Sequence, residues 1–375
     1  MDRILRFLQE HEGEMLEDLR LFVERETPSN DKRLLDGFAR FLVDYASAAG
    51  GSAEILPAVG SGDHVRIRWS DENSGRPIML LGHYDTVWAE GTIEEMPFAV
   101  HDGVATGPGV FDMKGGLVQG FWAVRALREV AGVQRSLVFV CNSDEEVGSP
   151  TSRALIEEEA RTADTVLVLE PSLDGALKTA RKGVGRYHVR VTGRPSHAGL
   201  DPEGGISAIE EMARLILELH GYTDHESGTT VNVGVVGGGT RYNVVAAEAF
   251  AEVDVRAVTF AEAERMEDIL SSLKARHEEA EVRVEGGMIW PPMERTEKTA
   301  ELFAHAKGLA AEIGFELREG LAGGASDGSL CASVGAPTLD GLGAVGGGAH
   351  ARDEHAEVPS MAERAALVAR LIETL

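Results

Sequence analysis

Several apolar runs in this chain end in side chains that bind cations. His83 follows Met79-Leu80-Leu81-Gly82, and Asp112 opens a helix after the glycine-rich turn Gly107-Pro108-Gly109-Val110-Phe111. Glu145 and Glu146 come shortly after Phe139-Val140-Cys141-Asn142, and Glu170 follows Val166-Leu167-Val168-Leu169. Far downstream, His350 comes after Gly346-Gly347-Gly348-Ala349. Imidazole with carboxylate and no thiolate suits zinc or a similar borderline cation. More than four such groups from scattered positions point to two ions rather than one. The neighbouring carboxylates Glu145 and Glu146 repel each other unless positive charge offsets them. One of them can bind a cation while the other holds or moves the proton of a water whose pKa the cation has lowered. The chain has other acidic stretches, Glu157-Glu158-Glu159 and Glu278-Glu279, but only this pair has a buried-type strand before it and Gly148-Ser149 after it. Asp85 lies two residues past His83, where it can accept a hydrogen bond from the imidazole and fix its tautomer, or else cap a turn.

These groups need a scaffold that brings strand ends to one rim. Leu5 to Phe22 carry the spacing of an opening helix, Thr27-Pro28-Ser29-Asn30 breaks it, and Asn30 is placed to cap a second helix with Leu34, Phe38, Leu42 and Tyr45 on one face. Strands are expected at 53–56, 64–69, 77–81, 137–142 and 166–169, with helices at 113–127 and 152–160. That alternation predicts an α/β fold with a mostly parallel central sheet, whose ligands would sit in loops at the carboxyl ends of strands. The middle reads differently: strand 184–192, helix 206–219, strands 229–236 and 249–258, helix 261–273, strand 282–285. This β-α-β-β-α-β order is the ferredoxin-like plan. It predicts an inserted α+β domain at 182–288, between two parts of a catalytic domain at 1–181 and 289–375.

Composition narrows the function. The chain has 375 residues, 43% of them hydrophobic, 44 glycines and a formal net charge of −26. So acidic a chain is a poor partner for nucleic acid or for an anionic membrane surface. Cys141 and Cys331 are the only cysteines, both beside apolar segments, and are expected to be buried thiols rather than a disulfide framework. The amphipathic first ten residues lack the apolar centre of a signal peptide, and no apolar run approaches the ~18 residues of a membrane span, so a cytoplasmic location is expected. Gly341 to Gly348 has no following Lys-Ser/Thr and no dinucleotide fingerprint, which argues against a nucleotide-dependent enzyme.

The order of short segments resembles the M20 family of metallopeptidases and amidohydrolases, most of all its glutamate carboxypeptidase branch. The segments are His83-Tyr84-Asp85-Thr86-Val87, Gly109 to Gly116, Asp144 to Ser149, Glu170-Pro171, Ser196-His197-Ala198-Gly199, Val253-Asp254-Val255-Arg256 and Gly323 to Asp327. The resemblance implies a zinc-exopeptidase-like catalytic domain with a lid that also makes a homodimer. It implies two Zn2+ per subunit, with Co2+ or Mn2+ as alternatives. Asp112 would bridge them, His83 and Glu170 completing one site and Glu146 and His350 the other. His355 is a rival to His350; His350 is preferred because it follows the glycine loop directly. His101 matches no ligand position. The resemblance also implies a cis Asp112–Met113 peptide, Glu145 as general base, Asp85 orienting His83, and His197 stabilising an oxyanion from a partner subunit. Arg256, Asn243 and Gly324 would contact substrate. Lys178, with Arg181 and Lys182, forms a basic cluster that could attract an anionic substrate or lie at a hinge surface. Glutamate-specific relatives carry a further arginine near the end of the lid. Here Gly286-Gly287-Met288-Ile289-Trp290-Pro291-Pro292 holds none, so a more apolar side chain could be accepted.

The expected activity is hydrolysis of an amide beside a free carboxylate, releasing a C-terminal amino acid from a peptide or an N-acyl amino acid. The alternatives are a deacylase of aminoacylase or succinyl-diaminopimelate desuccinylase type, and a non-catalytic metal-binding protein of the same fold.

Overall fold

A computed structural model describes residues 2–69, 75–132 and 135–375. The chain divides into two units. The first comprises Met1–Thr179, Arg295–Ala322 and Ser326–Leu375, and the second Ala180–Glu294 with Gly323–Ala325. Among the described residues no helix is long and apolar enough to cross a membrane.

The first unit is built on a six-stranded sheet in the order Ser52–Leu56, His64–Trp69, Leu137–Asn142, Ile78–His83, Thr165–Val168, Thr338–Leu339. The last four run parallel, as their continuous apolar sequences predict, and all four are buried along their whole length. The first two strands run antiparallel to their neighbours, so the sheet is mixed. Only residues 57–63 join them, enough for a hairpin but too few for the crossover a parallel pair requires.

Helix Gly115–Ala126 lies against the sheet with almost no gap. A Cβ at Gly116 would come within 1.9 Å of the Leu169 carbonyl oxygen, and one at Gly120 within 2.5 Å of Leu169 Cδ1. Glycine at these two positions lets the helix backbone approach the strand that leads to Glu170. This helix begins two residues later than the sequence pattern predicts. Val110–Lys114 forms a wide turn instead, in which Asp112 and Met113 leave helical geometry and the peptide between them is cis.

At the amino end there are two short helices, Arg3–Glu10 and Glu12–Val23, then a longer one, Lys32–Ala48. Asp31, not Asn30, caps the last: its carboxylate accepts the Leu34 N–H at 3.1 Å. A second, four-stranded sheet that the sequence did not announce joins Gly346–Gly347, His355–Glu357, Val104–Thr106 and Ala99–His101.

The second unit has four antiparallel strands in the order Thr230–Gly238, Glu248–Ala257, Gly183–Thr192, Glu281–Trp290, with helices Ala208–His220 and Phe260–Ser271. Val189, Val191, Ala251, Val253 and Val255 on one face pack with Met212, Leu215, Met266 and Leu270. The last strand is longer than its alternation suggests, and the unit continues to Glu294 rather than ending at 288. Thr230–Gly238 is an edge strand, with Val235 and Val236 exposed.

Candidate metal centre

Parallel pairing places the strand ends together. Strand Ile78–His83 lies between Leu137–Asn142 and Thr165–Val168, with His83 opposite Asn142. The chain after Asn142 therefore delivers Glu145 to the rim where His83 stands, and the chain after Val168 delivers Glu170 to the same rim. Asp112 comes from the wide turn before helix Gly115–Ala126. His350 comes from the hairpin between Gly346–Gly347 and His355–Glu357, with left-handed backbone at φ 61°, two residues after Gly348 at φ 75°.

Two groups of possible ligands result, His83–Asp112–Glu170 and Asp112–Glu146–His350, each with its ligand atoms within 4.8 Å of one another. Asp112 belongs to both. His83 Nε2 lies 3.4 Å from Asp112 Oδ1 and 3.3 Å from Glu170 Oε1. His350 Nε2 lies 3.5 Å from Asp112 Oδ2 and 3.0 Å from Glu146 Oε2. Glu145 Oε2 is 3.9 Å from His83 Nε2. His355 is in neither group; its Nδ1 lies 2.8 Å from the Asp353 carbonyl. His101 ends an exposed strand.

The charges in this cluster do not balance. Burial pushes the Glu145 carboxyl well above its ordinary range, and Glu170, Asp327 and Glu146 push it further, against the pull of His83. Burial also raises Glu146. The carboxylates Asp112 and Glu146 hold the His350 imidazole up to about 10, and Asp112 is lowered by the two imidazoles despite its burial. Asp112 Oδ1 and Glu146 Oε1 are buried without a hydrogen-bond partner. An unpartnered Asp112 oxygen 3.4 Å from the His83 imidazole nitrogen, and a second unpartnered oxygen on Glu146, in a site short of positive charge, fit divalent cations.

The residues behind the cluster were less visible in sequence. Asp85 is fully buried. The nearest acceptor to His83 Nδ1 is the Asp85 backbone carbonyl at 3.0 Å; the carboxylate Oδ1 is farther, at 3.4 Å. This arrangement places the proton on Nδ1 and leaves Nε2 free to ligate. The Asp85 carboxylate itself accepts the N–H groups of Glu145 (3.1 Å) and Glu146 (3.2 Å) and the Ser29 hydroxyl (2.8 Å). The carboxylate thus ties the backbone of the acidic pair, while the backbone carbonyl of the same residue meets the histidine. Asp144 fixes the other side of this turn by accepting from the backbone and hydroxyl groups of Thr151 and Ser152. Asp327 accepts from Ser149 Oγ (2.5 Å) and Asn142 Nδ2 (2.8 Å), and burial raises its carboxyl to about 7. Glu354, which no motif singled out, accepts from Gly109, Phe111 and Asp112 N–H and from the Trp88 indole.

Within the second unit the substrate-binding candidates are more open. His197 is exposed, and its Nδ1 accepts the N–H groups of Gly199 and Leu200, both at 3.1 Å. That leaves the proton on Nε2, pointing a donor outward. Asn243 is exposed, and its carbonyl accepts the Ala198 N–H at 3.0 Å, so the His197 and Asn243 segments lie side by side. Arg256 is held by Asp254, Nε to Oδ1 at 2.9 Å and Nη2 to Oδ2 at 3.1 Å. The Gly324 carbonyl accepts from Arg181 Nη1 at 3.1 Å. The basic cluster is largely structural: Arg181 is buried against the Gly324 and Ala325 carbonyls, and Lys182 donates to the Gly228 carbonyl. Lys178 lies in the first unit on strand Leu177–Arg181, its N–H bonded to the Asp340 carbonyl.

Residues 79–374 match the model of peptidase family M20/M25/M40, a span that takes in every side chain of both ligand groups. The chain belongs to this family. Carboxypeptidase G2 of Pseudomonas sp. (strain RS-16) is 32% identical to it over 312 residues, covering 80% of this chain and 74% of that protein. The protein YqjE of Bacillus subtilis (strain 168) is 28% identical over 269 residues, covering 70% of this chain and 71% of YqjE. Among solved structures, aminopeptidase PepT from Bacillus cereus ATCC 10987 superposes with a TM-score of 0.83 at 23% identity, covering 96% of this chain and 98% of PepT. An M20 metallo-carboxypeptidase from Sulfolobus solfataricus, Sso-CP2, superposes with a TM-score of 0.72 at 16% identity, covering 96% and 98%. The M20 chain described here is therefore a metallohydrolase of peptidase type, with its candidate metal ligands gathered in the first unit.

Proposed function

We propose that this M20 enzyme binds two zinc ions and hydrolyses an amide bond next to a free carboxylate, releasing a C-terminal amino acid in the manner of a carboxypeptidase. The observation that carries the reading is the pair of ligand groups that share Asp112, with Glu145 beside them and outside both. His83 and Glu170 would hold one ion, Glu146 and His350 the other, and Asp112 both. Imidazole and carboxylate suit zinc, and cobalt or manganese would be accepted by the same set. Bound there, the ions supply Lewis acidity and lower the pKa of the attacking water.

The chain's own residues carry the protons. Glu145, raised by burial and by neighbouring carboxylates, is suited to take a proton from the attacking water at Oε2 and give it to the leaving amine. Asp85 keeps that carboxylate in place through the Glu145 N–H. His197, neutral with its proton on Nε2, would donate to the oxyanion that develops on the substrate carbonyl. Arg256 would take the substrate carboxylate in its planar fork, exchanging Asp254 for the ligand, with Asn243 and the Gly324 loop beside the substrate. Lys178 is the weakest member of this set, contributing only charge.

The subunits would pair through the second unit. Edge strand Thr230–Gly238 offers an open row of backbone groups with Val235 and Val236 exposed, a surface suited to strand addition by a second copy. A cytoplasmic place of action accords with the unpaired, buried Cys141 and Cys331.

Carboxypeptidase G2 is a curated relative, yet strand Glu281–Trp290 has no arginine from Gly286 onward. The test is amino-acid release by zinc-loaded protein from N-acyl-glutamates, N-acyl apolar amino acids, dipeptides and N-succinyl-diaminopimelate. Release of a C-terminal amino acid is expected. Cleavage confined to acyl amino acids with apolar side chains would make the enzyme a deacylase of aminoacylase type. Absence of release from every member, by protein holding its full ion content, would count against the hydrolase reading.

A further inference from the structure

We propose that Glu354 is a positioning residue for the Asp112–Glu146–His350 group: one carboxylate ties the turn that presents Asp112 to the hairpin that presents His350. This rests on the two-ion reading above.

Glu354 is 1% exposed and forms no ion pair among the described residues. Neutral donors surround it instead. Oε1 accepts the N–H groups of Phe111 and Asp112, both at 3.0 Å. Oε2 accepts the Gly109 N–H at 3.0 Å and the Trp88 indole N–H at 2.8 Å. The buried cation near this turn, Lys114, directs its ammonium group to the Arg25 carbonyl at 2.7 Å. A buried carboxylate that takes four N–H donors in two pairs defines the path of the backbone it binds, because a shift of that backbone would leave donors and charge unsatisfied together.

The backbone so fixed is the stretch from Gly109 to Asp112, which ends at the side chain common to both ligand groups. Glu354 itself closes the turn that carries His350. Its own N–H donates to the Ala351 carbonyl, and the next residue begins the strand paired with Gly347. The hairpin has little freedom of its own: a Cβ at Gly348 would meet the Asp353 backbone at 2.7 Å. His350 is half exposed and, among the described residues, is held by no hydrogen bond other than its contacts with Asp112 and Glu146. Its distance from Asp112 is thus set by the hairpin, and the hairpin is set against Asp112 by Glu354. His83 and Glu170, by contrast, stand on the central sheet and owe their separation to strand pairing. The inference is therefore asymmetric: loss of Glu354 should disturb the group containing His350 more than the group containing His83.

The test is Glu354→Gln in the full chain. Whichever way the amide is turned, its NH2 replaces one oxygen and faces two donors. The measurement is titration of metal-free protein with Zn2+ by calorimetry, together with the visible absorption spectrum of the Co2+ forms. Wild type should take up two ions. The variant should bind the first within about threefold of wild type and the second about 10- to 100-fold more weakly, with a changed Co2+ spectrum for the second ion only. Trp88→Phe removes one of the four donors from the same carboxylate and should weaken the second ion in the same direction by about threefold; it decides the matter if Glu354→Gln does not fold. Unchanged affinities and spectrum, or equal weakening of both ions, would overturn the proposal while leaving the two-ion reading intact. Uptake of fewer than two ions by wild type would overturn that reading and the proposal with it.

Discussion

Asp85 in the first unit and Arg256 in the second are both charged side chains in segments that resemble the same family, but they are held differently. Asp85 is fully buried, and its carboxylate is committed to three donors, two of them the N–H groups of Glu145 and Glu146. Arg256 is partly exposed, and among the described residues its side chain has one partner, Asp254, two residues away on its own strand. His197 and Asn243 are more exposed still. The candidate reacting groups are thus fixed by long-range contacts in a buried network, whereas the candidate substrate contacts are fixed locally and can change partner. A rigid centre suits chemistry that depends on position, and an adjustable surface suits recognition of a ligand that arrives and leaves.

This contrast can be broken or sharpened by substitution. The largest effect is expected from Asp112→Asn, which replaces the carboxylate common to both ligand groups. Ion content measured by mass spectrometry should fall below two per chain and turnover should be lost; retention of both ions would show that Asp112 is not shared. His197→Ala comes next. It should lower kcat by roughly 10²- to 10³-fold through loss of an oxyanion donor, with ion content unchanged. An equal change in KM with kcat intact would instead make His197 a binding residue. Arg256→Gln should act mainly on KM, raising it about tenfold or more through loss of a charge-assisted pair. If kcat alone fell, the comparison between a chemical and a recognition region would fail there.

The smallest effect concerns stability. His64 Nδ1 accepts the Ser143 N–H at 3.3 Å, and Nε2 lies 3.0 Å from the Thr151 hydroxyl, so the buried ring is suited to be neutral. Burial lowers its pKa below the ordinary ~6.5. The unfolded chain therefore takes up this proton first, and the His64 contribution is present above about pH 6.5 and lost as pH falls below it. A thermal melt of wild type should show this acid-side decline, and His64→Gln should flatten it. An identical decline in the variant would mean that His64 does not titrate on unfolding.

Much of the fold was legible because it depends on local pattern. Continuous apolar runs marked the parallel strands, and the change to β-α-β-β-α-β order marked the second unit. Ligand types at strand ends pointed to a common rim because parallel strands must end on the same side. What escaped the sequence depends on partners far apart. Glu354 and Asp112 are 242 residues apart, and Ser29 and Asp85 are 56 apart, so no spacing rule connects them. The sheet is mostly parallel as expected, and which strands run antiparallel was not legible in their composition: for Ser52–Leu56 and His64–Trp69 the direction follows from the short link at 57–63. The basic character of Lys178, Arg181 and Lys182 was visible, but not that Arg181 and Lys182 serve backbone carbonyls.

The account turns on Glu145 as a proton carrier that stands beside the ions without holding them. The most direct measurement is turnover and ion content of Glu145→Gln on whichever substrate of the panel wild type cleaves. We expect two ions per chain, as in wild type, and turnover reduced by roughly 10²- to 10⁴-fold. A variant that kept both ions and most of its turnover would contradict the mechanism.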